Sequence, residues 1–369
     1  MDLFATTEGT ARYKDRFQSS LPQGHFRRSQ DLWFSSIGLG TYLGNPDEDT
    51  DRRSLDAILR AVASGCNVID TAINYRHQRS ERVIGQALKL LFLKGFSRDE
   101  LIISTKGGFI PFNGTAPADP RAYLEENFFK PEIIKPDELV AGCHCMTPRY
   151  LDHQLNTSLR NLGLDCIDIY FIHNPETELE EVERKEFNRR LEEAFVFLEG
   201  KVREGKIRFY GTATWEGYRN RPDHPSHLTL EEISILARSA GGEHHHFRII
   251  QLPHNLAMPE AITHTNQKFG AQLLSPLEAA QALGITVYAS ASLLQGKITG
   301  NLPQSLRDAF KGLETDAQRS LQFVRSTPGL MTALVGMKQE KHVTENLSLA
   351  KHPPLTREEF FGLFAEERG

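Results

Sequence analysis

Short apolar segments alternate with longer segments of helical periodicity along most of this chain. Between the apolar segments, side chains such as Leu55, Ile58 and Val62 recur at intervals of three and four residues, which predicts the buried face of a helix. Strands that alternate with helices pair in parallel through helical crossovers. Eight such units with no linker between them favour a closed (β/α)₈ TIM barrel, an α/β fold, over an open sheet. The eight predicted strands cover residues 36–40, 67–70, 101–106, 166–173, 207–213, 247–252, 285–290 and 332–336.

Three segments fall outside this alternation. Residues 1–34 are polar and predict an N-terminal extension with a short hairpin, and residues 351–369 predict a helical tail that packs on the barrel. The barrel itself, residues 35–350, contains an insertion at 109–147 after the third strand. A loop of that length is usually functional or disordered, and its aromatic content argues against disorder. It leaves the barrel on the face that carries Lys106, so it either covers a substrate pocket or only anchors itself. Its aromatic residues are Phe109, Phe112, Tyr123, Phe128 and Phe129.

Composition narrows the class of protein. A barrel needs about 250 residues, so most of the remainder of the 369 residues belongs to the extension, insertion and tail. The chain has 43 Lys and Arg against 48 Asp and Glu, and this near balance argues against a nucleic-acid-binding surface. No apolar stretch is long enough for a membrane span, and the N-terminus lacks the pattern of a secretory signal. Four cysteines are too few for a disulfide scaffold, so we expect a cytoplasmic protein.

Several local motifs make structural predictions. Asp51, Ser80 and Thr147 are acceptors suited to cap helices, and Pro148 fits a first helical position. The acidic segment 176–183 is expected to be an exposed helix start.

The segment Cys143-His144-Cys145 contains three potential metal ligands. Zinc ligands normally need two or more intervening residues to converge, so we expect a packed loop and no metal site. Whether the two thiols are redox active stays open.

Ionisable residues end three consecutive predicted strands: Asp70, Lys106 and His173. Barrel enzymes carry their chemistry at these carboxyl ends. Tyr75 follows Asp70 by five residues, and a phenol with an unperturbed pKa of about 10 is a poor acid near neutral pH. A nearby Lys106 would stabilise the phenolate and lower that pKa, while Asp70 holds the lysine in place. With His173 as a hydrogen-bond donor or proton-transfer partner, the set predicts proton donation to a carbonyl oxygen.

With these residues the chain resembles the aldo-keto reductase superfamily over roughly residues 35–350. The resemblance implies that Asp70, Tyr75, Lys106 and His173 form the family's catalytic tetrad. A reduced nicotinamide would supply hydride to a carbonyl carbon while Tyr75 protonates the oxygen. The matching motifs are Gly38-Leu39-Gly40-Thr41, Ile69-Asp70-Thr71-Ala72, Arg79-Ser80-Glu81-Arg82-Val83-Ile84-Gly85, Ser104-Thr105-Lys106, Phe171-Ile172-His173-Asn174 and the segment from Gly336 to Asn346.

The resemblance also implies cofactor-binding positions, although these match the family less closely. Gln251 fits the glutamine that binds the nicotinamide amide, while Ala213-Thr214 stands where the family usually has Ser-Asn. The implied positions are Thr41, Thr214, Gln251, Ser290, Gly296, Lys297, Gly336, Lys338, His342, Glu345 and Asn346.

Two substitutions bear on how the nucleotide is held. Ser290 occupies the place of a tyrosine that stacks on the nicotinamide, so Trp215 or Tyr288 would have to take over that contact. Lys338 suits a 2′-phosphate, but His342 replaces the family's frequent arginine and is only partly charged at pH 7. We therefore expect NADP(H) as cofactor, with NAD(H) as an alternative, and a small-molecule carbonyl or alcohol as substrate.

Two other functions stay open at this stage. The chain could be a weakly catalytic or non-catalytic nucleotide-sensing barrel that acts as a regulatory protein, because fold does not determine function. It could also be an isomerase or lyase that uses Lys106 as a Schiff base. The sequence assigns neither the physiological substrate nor the oligomeric state.

Overall fold

The structure is a computed structural model that describes residues 3–364, and its centre is a closed barrel of eight parallel strands. Around the barrel the order is β11 (Thr286–Ser290), β12 (Leu330–Gly336), β3 (Ile37–Gly40), β4 (Val68–Asp70), β5 (Ile102–Gly107), β6 (Ile167–His173), β7 (Ile207–Ala213) and β8 (Phe247–Pro253), and the ring closes between β8 and β11. The predicted (β/α)₈ fold is therefore confirmed, and each of the eight barrel strands begins and ends within two residues of its predicted limits. The strands are β1 Phe26–Ser29, β2 Leu32–Ser35, β3 Ile37–Gly40, β4 Val68–Asp70, β5 Ile102–Gly107, β6 Ile167–His173, β7 Ile207–Ala213, β8 Phe247–Pro253, β9 Gln267–Phe269, β10 Gln272–Leu274, β11 Thr286–Ser290 and β12 Leu330–Gly336.

Helices cover the outside of the barrel because each has one apolar face. In the second helix, for example, Ile58, Ala61 and Val62 are buried at helical spacing. The helices are α1 Thr7–Asp15, α2 Glu48–Ala63, α3 Arg79–Leu93, α4 Pro120–Leu124, α5 Pro148–Leu162, α6 Arg184–Arg203, α7 Leu230–Gly241, α8 Glu260–Thr263, α9 Pro276–Ala282, α10 Gln304–Ala309, α11 Asp316–Ser326, α12 Glu340–Ser348 and α13 Arg357–Gly362.

The predicted helix caps are wrong at two of three positions. Asp47, not Asp51, caps α2, and Asp51 lies inside that helix. Ser80 is the second residue of α3, where its hydroxyl donates to a backbone carbonyl in the loop after β3. Thr147 does stand at the N-cap of α5 before Pro148, but its side chain makes no capping hydrogen bond.

Chain segments outside the alternation close the ends of the barrel. Helix α1 and the hairpin β1–β2 cover the amino-terminal end, where Leu32 and Phe34 are buried with the barrel interior. In helix α13, the ring centre of Phe360 lies 5.3 Å from that of Phe323 in α11. Residues 1–2 and 365–369, which the sequence assigned to the extension and the tail, lie outside the described residues. Within residues 3–364, no helix is both long and apolar enough to cross a membrane.

The insertion at 109–147 is folded against the barrel. Phe128, Ile134 and Cys145 form a small buried cluster with Tyr150 of α5. Its last residues return beside the end of β5, where the Cys145 N–H donates to the Gly108 carbonyl at 3.0 Å. The insertion is thereby fixed to the barrel face that carries the candidate site.

Candidate active site

One cavity of about 810 Å³ lies at the carboxyl ends of the strands. Asp70 ends β4, His173 ends β6, and Tyr75 follows in the loop after β4, so all three reach the cavity wall. Lys106, near the end of β5, is fully buried beneath them. The barrel therefore brings the four residues of the predicted tetrad together.

The Lys106 ammonium is bound on several sides. Its Nζ donates to Asp70 Oδ2 at 2.5 Å and to the Thr71 carbonyl at 2.7 Å, and it lies 4.9 Å from the centre of the Tyr75 ring. Burial acts to lower the pKa of Lys106, but its interactions with Asp70 and Tyr75, that with the Asp70 carboxylate first, outweigh it and the pKa is raised. Lys106 is therefore a fixed cation, and its depth leaves little access for a Schiff base.

Tyr75 is the acidic group that faces the cavity. Burial raises the pKa of Tyr75 above its ordinary value, and Lys106 opposes that rise. The sequence interpretation, that Lys106 lowers this pKa, thus describes one of two competing effects, and burial is the larger. The phenol remains protonated at neutral pH, which is the form that a proton donor needs.

His173 lies edge-on between two aromatic rings. Its ring centre is 5.7 Å from that of Tyr75 and 5.0 Å from that of Phe109 in the insertion. Burial lowers the pKa of His173 well below its ordinary value, and the charge of Lys106 acts in the same direction. The imidazole is therefore neutral at pH 7 and able to donate one hydrogen bond.

Ten of the eleven expected cofactor positions line the same cavity as the tetrad. Lys297 is not among the lining residues, and its side chain is exposed. Those that line the cavity are Thr41, Thr214, Gln251, Ser290, Gly296, Gly336, Lys338, His342, Glu345 and Asn346.

Near the tetrad, the cavity wall carries groups suited to an amide. Gln251 donates from Nε2 to Asp70 Oδ1 at 3.1 Å, which fixes its side chain at the wall. The Thr214 hydroxyl is buried and has no hydrogen-bond partner within the described chain. Because unpaired buried hydroxyls are costly, this group suits a ligand that supplies the missing bond, and the residues here fit a nicotinamide amide.

The two aromatic side chains considered for ring stacking lie in different environments. Tyr288 is fully buried inside the barrel and does not line the cavity. Its ring centre lies 6.1 Å from those of Phe34 and Phe171. Trp215 lines the cavity and is 40% exposed. Of the two, Trp215 alone is placed to contact a nucleotide ring.

The part of the cavity wall that follows β12, which we call the distal end, carries the polar residues Lys338, His342, Glu345 and Asn346. Lys338 is exposed, whereas Asn346 is buried. Burial lowers the pKa of His342, and the neighbouring charges of Lys341 and Lys338 lower it further. His342 is thus mainly neutral at pH 7 and leaves Lys338 as the cation of this end.

Buried carboxylates support the site, and here the sequence expectation was wrong in part. Segment 176–183 was expected to be exposed; Glu180, Glu181 and Glu183 are exposed, but Glu176 and Glu178 are buried. Glu176 Oε1 accepts the backbone N–H groups of Trp215, Glu216 and Gly217 at 2.7–3.2 Å, which fixes the loop that carries Trp215.

Other supporting residues were also missed. Ser104 stands opposite Asp70 in the strand register and donates to its Oδ1 at 2.7 Å. Its register position beside Asp70, the last residue of the neighbouring strand β4, is the signal that could have revealed it. Glu176 gave no comparable signal, because the loop that it binds comes from β7.

The Cys-His-Cys segment has no features of a metal or redox centre. In residues 3–364, no group of three or more His, Cys, Asp or Glu side chains is placed to hold a metal ion. Burial raises the pKa of both thiols, that of Cys145 to about 11. Neither cysteine is therefore activated as a thiolate.

Comparison with known proteins assigns this chain to a family. The model of the aldo/keto reductase family matches residues 36–220, and the chain belongs to that family. This membership supports an oxidoreductase that acts on carbonyl groups.

Two similar proteins have names that describe different functions. An NADH-specific methylglyoxal reductase of Escherichia coli is 30% identical over 211 residues, 56% of this chain, and the match spans only 55% of that relative's length. A putative voltage-gated potassium channel subunit beta of Schizosaccharomyces pombe is 25% identical over 351 residues, 86% of this chain and 84% of the relative.

Solved structures share the fold. An aldo/keto reductase from Klebsiella pneumoniae in complex with NADP and acetate superposes with a TM-score of 0.64 at 22% identity, covering 94% of this chain and 95% of the other. The glycerol dehydrogenase of Gluconobacter oxydans has a TM-score of 0.62 at 20% identity, covering 93% and 95%.

Proposed function

We propose that this protein is an NAD(P)H-dependent carbonyl reductase that converts an aldehyde or ketone to an alcohol. One observation carries the proposal: a buried Lys106–Asp70 ion pair lies directly beneath a protonated Tyr75 at the wall of a large cavity. A cation beneath a phenol stabilises the phenolate that forms when the phenol gives up its proton. Such an arrangement serves proton donation better than it serves binding alone.

The residues of the chain have distinct tasks in this reaction. When bound, a reduced nicotinamide would supply the hydride for the carbonyl carbon. Tyr75 gives its proton to the carbonyl oxygen as negative charge develops there, and Lys106 stabilises the resulting phenolate. His173, neutral, donates a hydrogen bond that orients the same oxygen. Tyr75 then regains its proton from solvent.

For the cofactor, Thr214 and Gln251 would hold the nicotinamide amide, and Trp215 would contact the ring. Gly296 lies at the cavity wall where a pyrophosphate would pass, and Lys338 would meet a 2′-phosphate. These residues favour NADP(H). NAD(H) is the alternative, supported by the uncharged state of His342 and by the NADH-specific E. coli relative.

The same relative suggests a small aldehyde as substrate, since its name specifies methylglyoxal. In this chain the substrate side of the cavity is lined by aromatic groups, namely Tyr42, Phe109 and Trp215. We therefore propose a small uncharged carbonyl compound.

A regulatory barrel is the second candidate. Its support is the similarity to potassium channel beta subunits over most of the chain, together with Ala213, which lacks a side-chain hydrogen-bonding group. A barrel that binds nucleotide tightly but oxidises it slowly would fit a regulatory function.

Titration with NADPH and NADH, followed by tryptophan fluorescence, tests the proposal. We expect saturable quenching, because Trp215 lies in the cavity wall, and NADPH should bind more tightly than NADH. Nucleotide oxidation by methylglyoxal then separates a reductase from a regulatory protein. Absence of binding by both nucleotides at millimolar concentration would reject both candidates.

A further inference from the structure

The insertion brings a second histidine against the catalytic strand β6. Residues 143–145 pair with residues 108–110, which directly follow β5: the Ile110 N–H donates to the Cys143 carbonyl at 2.8 Å, and the Cys145 N–H donates to the Gly108 carbonyl at 3.0 Å. His144 lies between these two bonds and is fully buried. Its position is therefore determined by backbone pairing on both sides.

Both ring nitrogens of His144 have a defined partner. Nε2 lies 2.8 Å from the backbone carbonyl oxygen of His173, and because that oxygen can only accept, Nε2 is the donor. Nδ1 lies 3.3 Å from Glu178 Oε1. Glu178 is in turn held by the Met146 N–H at 3.1 Å and by Arg190 at 3.0 Å. The ring is therefore fixed in orientation as well as in place.

There is no spare space around the His144–His173 contact. Gly108 has a φ of +134°, and a Cβ there would lie 2.6 Å from His144 Nε2 and 3.1 Å from the His173 carbonyl oxygen. The Phe109 ring centre lies 5.1 Å from that of His144 and 5.0 Å from that of His173. A displacement of His144 would consequently move both the backbone and the ring environment of His173.

We infer that His144 is a positioning residue: its Nε2–H holds the end of β6 so that His173 faces the substrate oxygen. The inference rests on the proposed reductase function and assigns the insertion a role in the rate of the reaction. Loss of His144 would remove this donor from the His173 carbonyl, so we expect the strand end to shift in its absence. A shift of about 1 Å in a catalytic group can reduce turnover by about a hundredfold.

Two substitutions distinguish the contribution of His144 Nε2 from that of Nδ1. In His144→Gln the side-chain amide reaches the position of Nε2, whereas in His144→Asn it reaches only the position of Nδ1. We expect the Gln variant to keep kcat within about threefold of the wild type and the Asn variant to lose about tenfold or more, with the KM for nucleotide unchanged in both. Equal kcat values in the two variants would overturn the inference.

Phe128→Leu is the matched control for general damage to the insertion. Phe128 is buried in the insertion's own cluster and has no contact with His144 or His173 among the described aromatic pairs. It should lower the thermal midpoint while kcat stays within about twofold. If Phe128→Leu reduces kcat as much as His144→Asn does, the insertion acts only as a folded unit and the inference is wrong.

A combination with His173→Ala tests whether His144 acts through His173. In that background His144→Asn should cause no further loss of kcat, because the ring that it positions is gone. A further loss by the same factor as in the wild type would contradict the inference.

Histidine NMR gives a readout that does not depend on activity. In the wild type, the His144 ring N–H should be protected from solvent exchange, and rapid exchange would overturn the inference even if no variant folds. The His173 ring resonances should be unchanged in the Gln variant and shifted in the Asn variant. If the wild type reduces no carbonyl compound yet these resonances respond as expected, the proposed function fails and the positioning contact stands.

Discussion

The two ends of the cavity differ in how far the chain itself fixes their polar groups. At the tetrad end, Asp70 accepts hydrogen bonds from Lys106, Ser104 and Gln251 at 2.5–3.1 Å, and all of these groups are buried. At the distal end, Lys338 is exposed and His342 is largely uncharged. The chemistry is thus preorganised, whereas recognition of the far part of a nucleotide depends on side chains that a ligand must order.

Among the changes that contrast the two ends of the cavity, the largest effect should come from Lys106→Met, which removes the cation at the tetrad end. Turnover should fall by about 10³-fold near neutral pH, because the Tyr75 phenolate loses its stabilising charge. Breaking a buried ion pair should also reduce the free energy of unfolding by about 3–5 kcal/mol. Steady-state kinetics and urea unfolding measure the two effects.

The control is Lys89→Met, since Lys89 is an exposed lysine of α3. It should change neither quantity. Substantial turnover in Lys106→Met would show that the tetrad end is not organised around this cation.

A smaller and more selective effect is expected from Lys338→Ala at the distal end. The Kd for NADPH should rise by about tenfold, equivalent to about 1.4 kcal/mol, while the Kd for NADH stays unchanged. Fluorescence titration measures both constants. Lys341→Ala removes a neighbouring exposed lysine that does not line the cavity, and it should leave both constants within about twofold of the wild type. If Lys338→Ala weakens the binding of NADPH and of NADH equally, the assignment of Lys338 to the 2′-phosphate is wrong.

The smallest effect should be that of pH on the reduction rate. The pKa of His173 is lowered, so the ring stays neutral as pH falls to 6, and the pKa of Tyr75 is raised, so the phenol stays protonated as pH rises to 9. With saturating nucleotide, kcat should vary by no more than about twofold over this range. A bell-shaped profile with a midpoint near 7 would mean that one of these groups titrates in the working range.

The barrel and the tetrad could be predicted because their signals are local. Each strand is a short apolar segment, and parallel pairing places all carboxyl ends on one face, so Asp70, Lys106 and His173 had to lie near one another. Because the eight strands form a closed parallel barrel, these three residues lie together at its carboxyl face.

Other features depend on contacts between distant segments and could not be predicted in this way. Glu176 is buried because the loop after β7 supplies three backbone donors, and Glu178 because the insertion and α6 enclose it. Helix α1 is polar enough that its periodicity gave no signal. The direction of Lys297 depends on the conformation of a loop with several positive φ angles, which composition does not specify.

Whether Tyr75 is the proton donor is tested most directly by Tyr75→Phe, which removes one hydroxyl and keeps the ring. Turnover of methylglyoxal, or of any other carbonyl compound that the wild type reduces, should fall by about 10²–10⁴-fold. Nucleotide binding, measured by fluorescence on the same sample, should stay within about twofold of the wild type because the cavity keeps its shape. A Tyr75→Phe variant that turns over at the wild-type rate would contradict the assignment of Tyr75 as the proton donor.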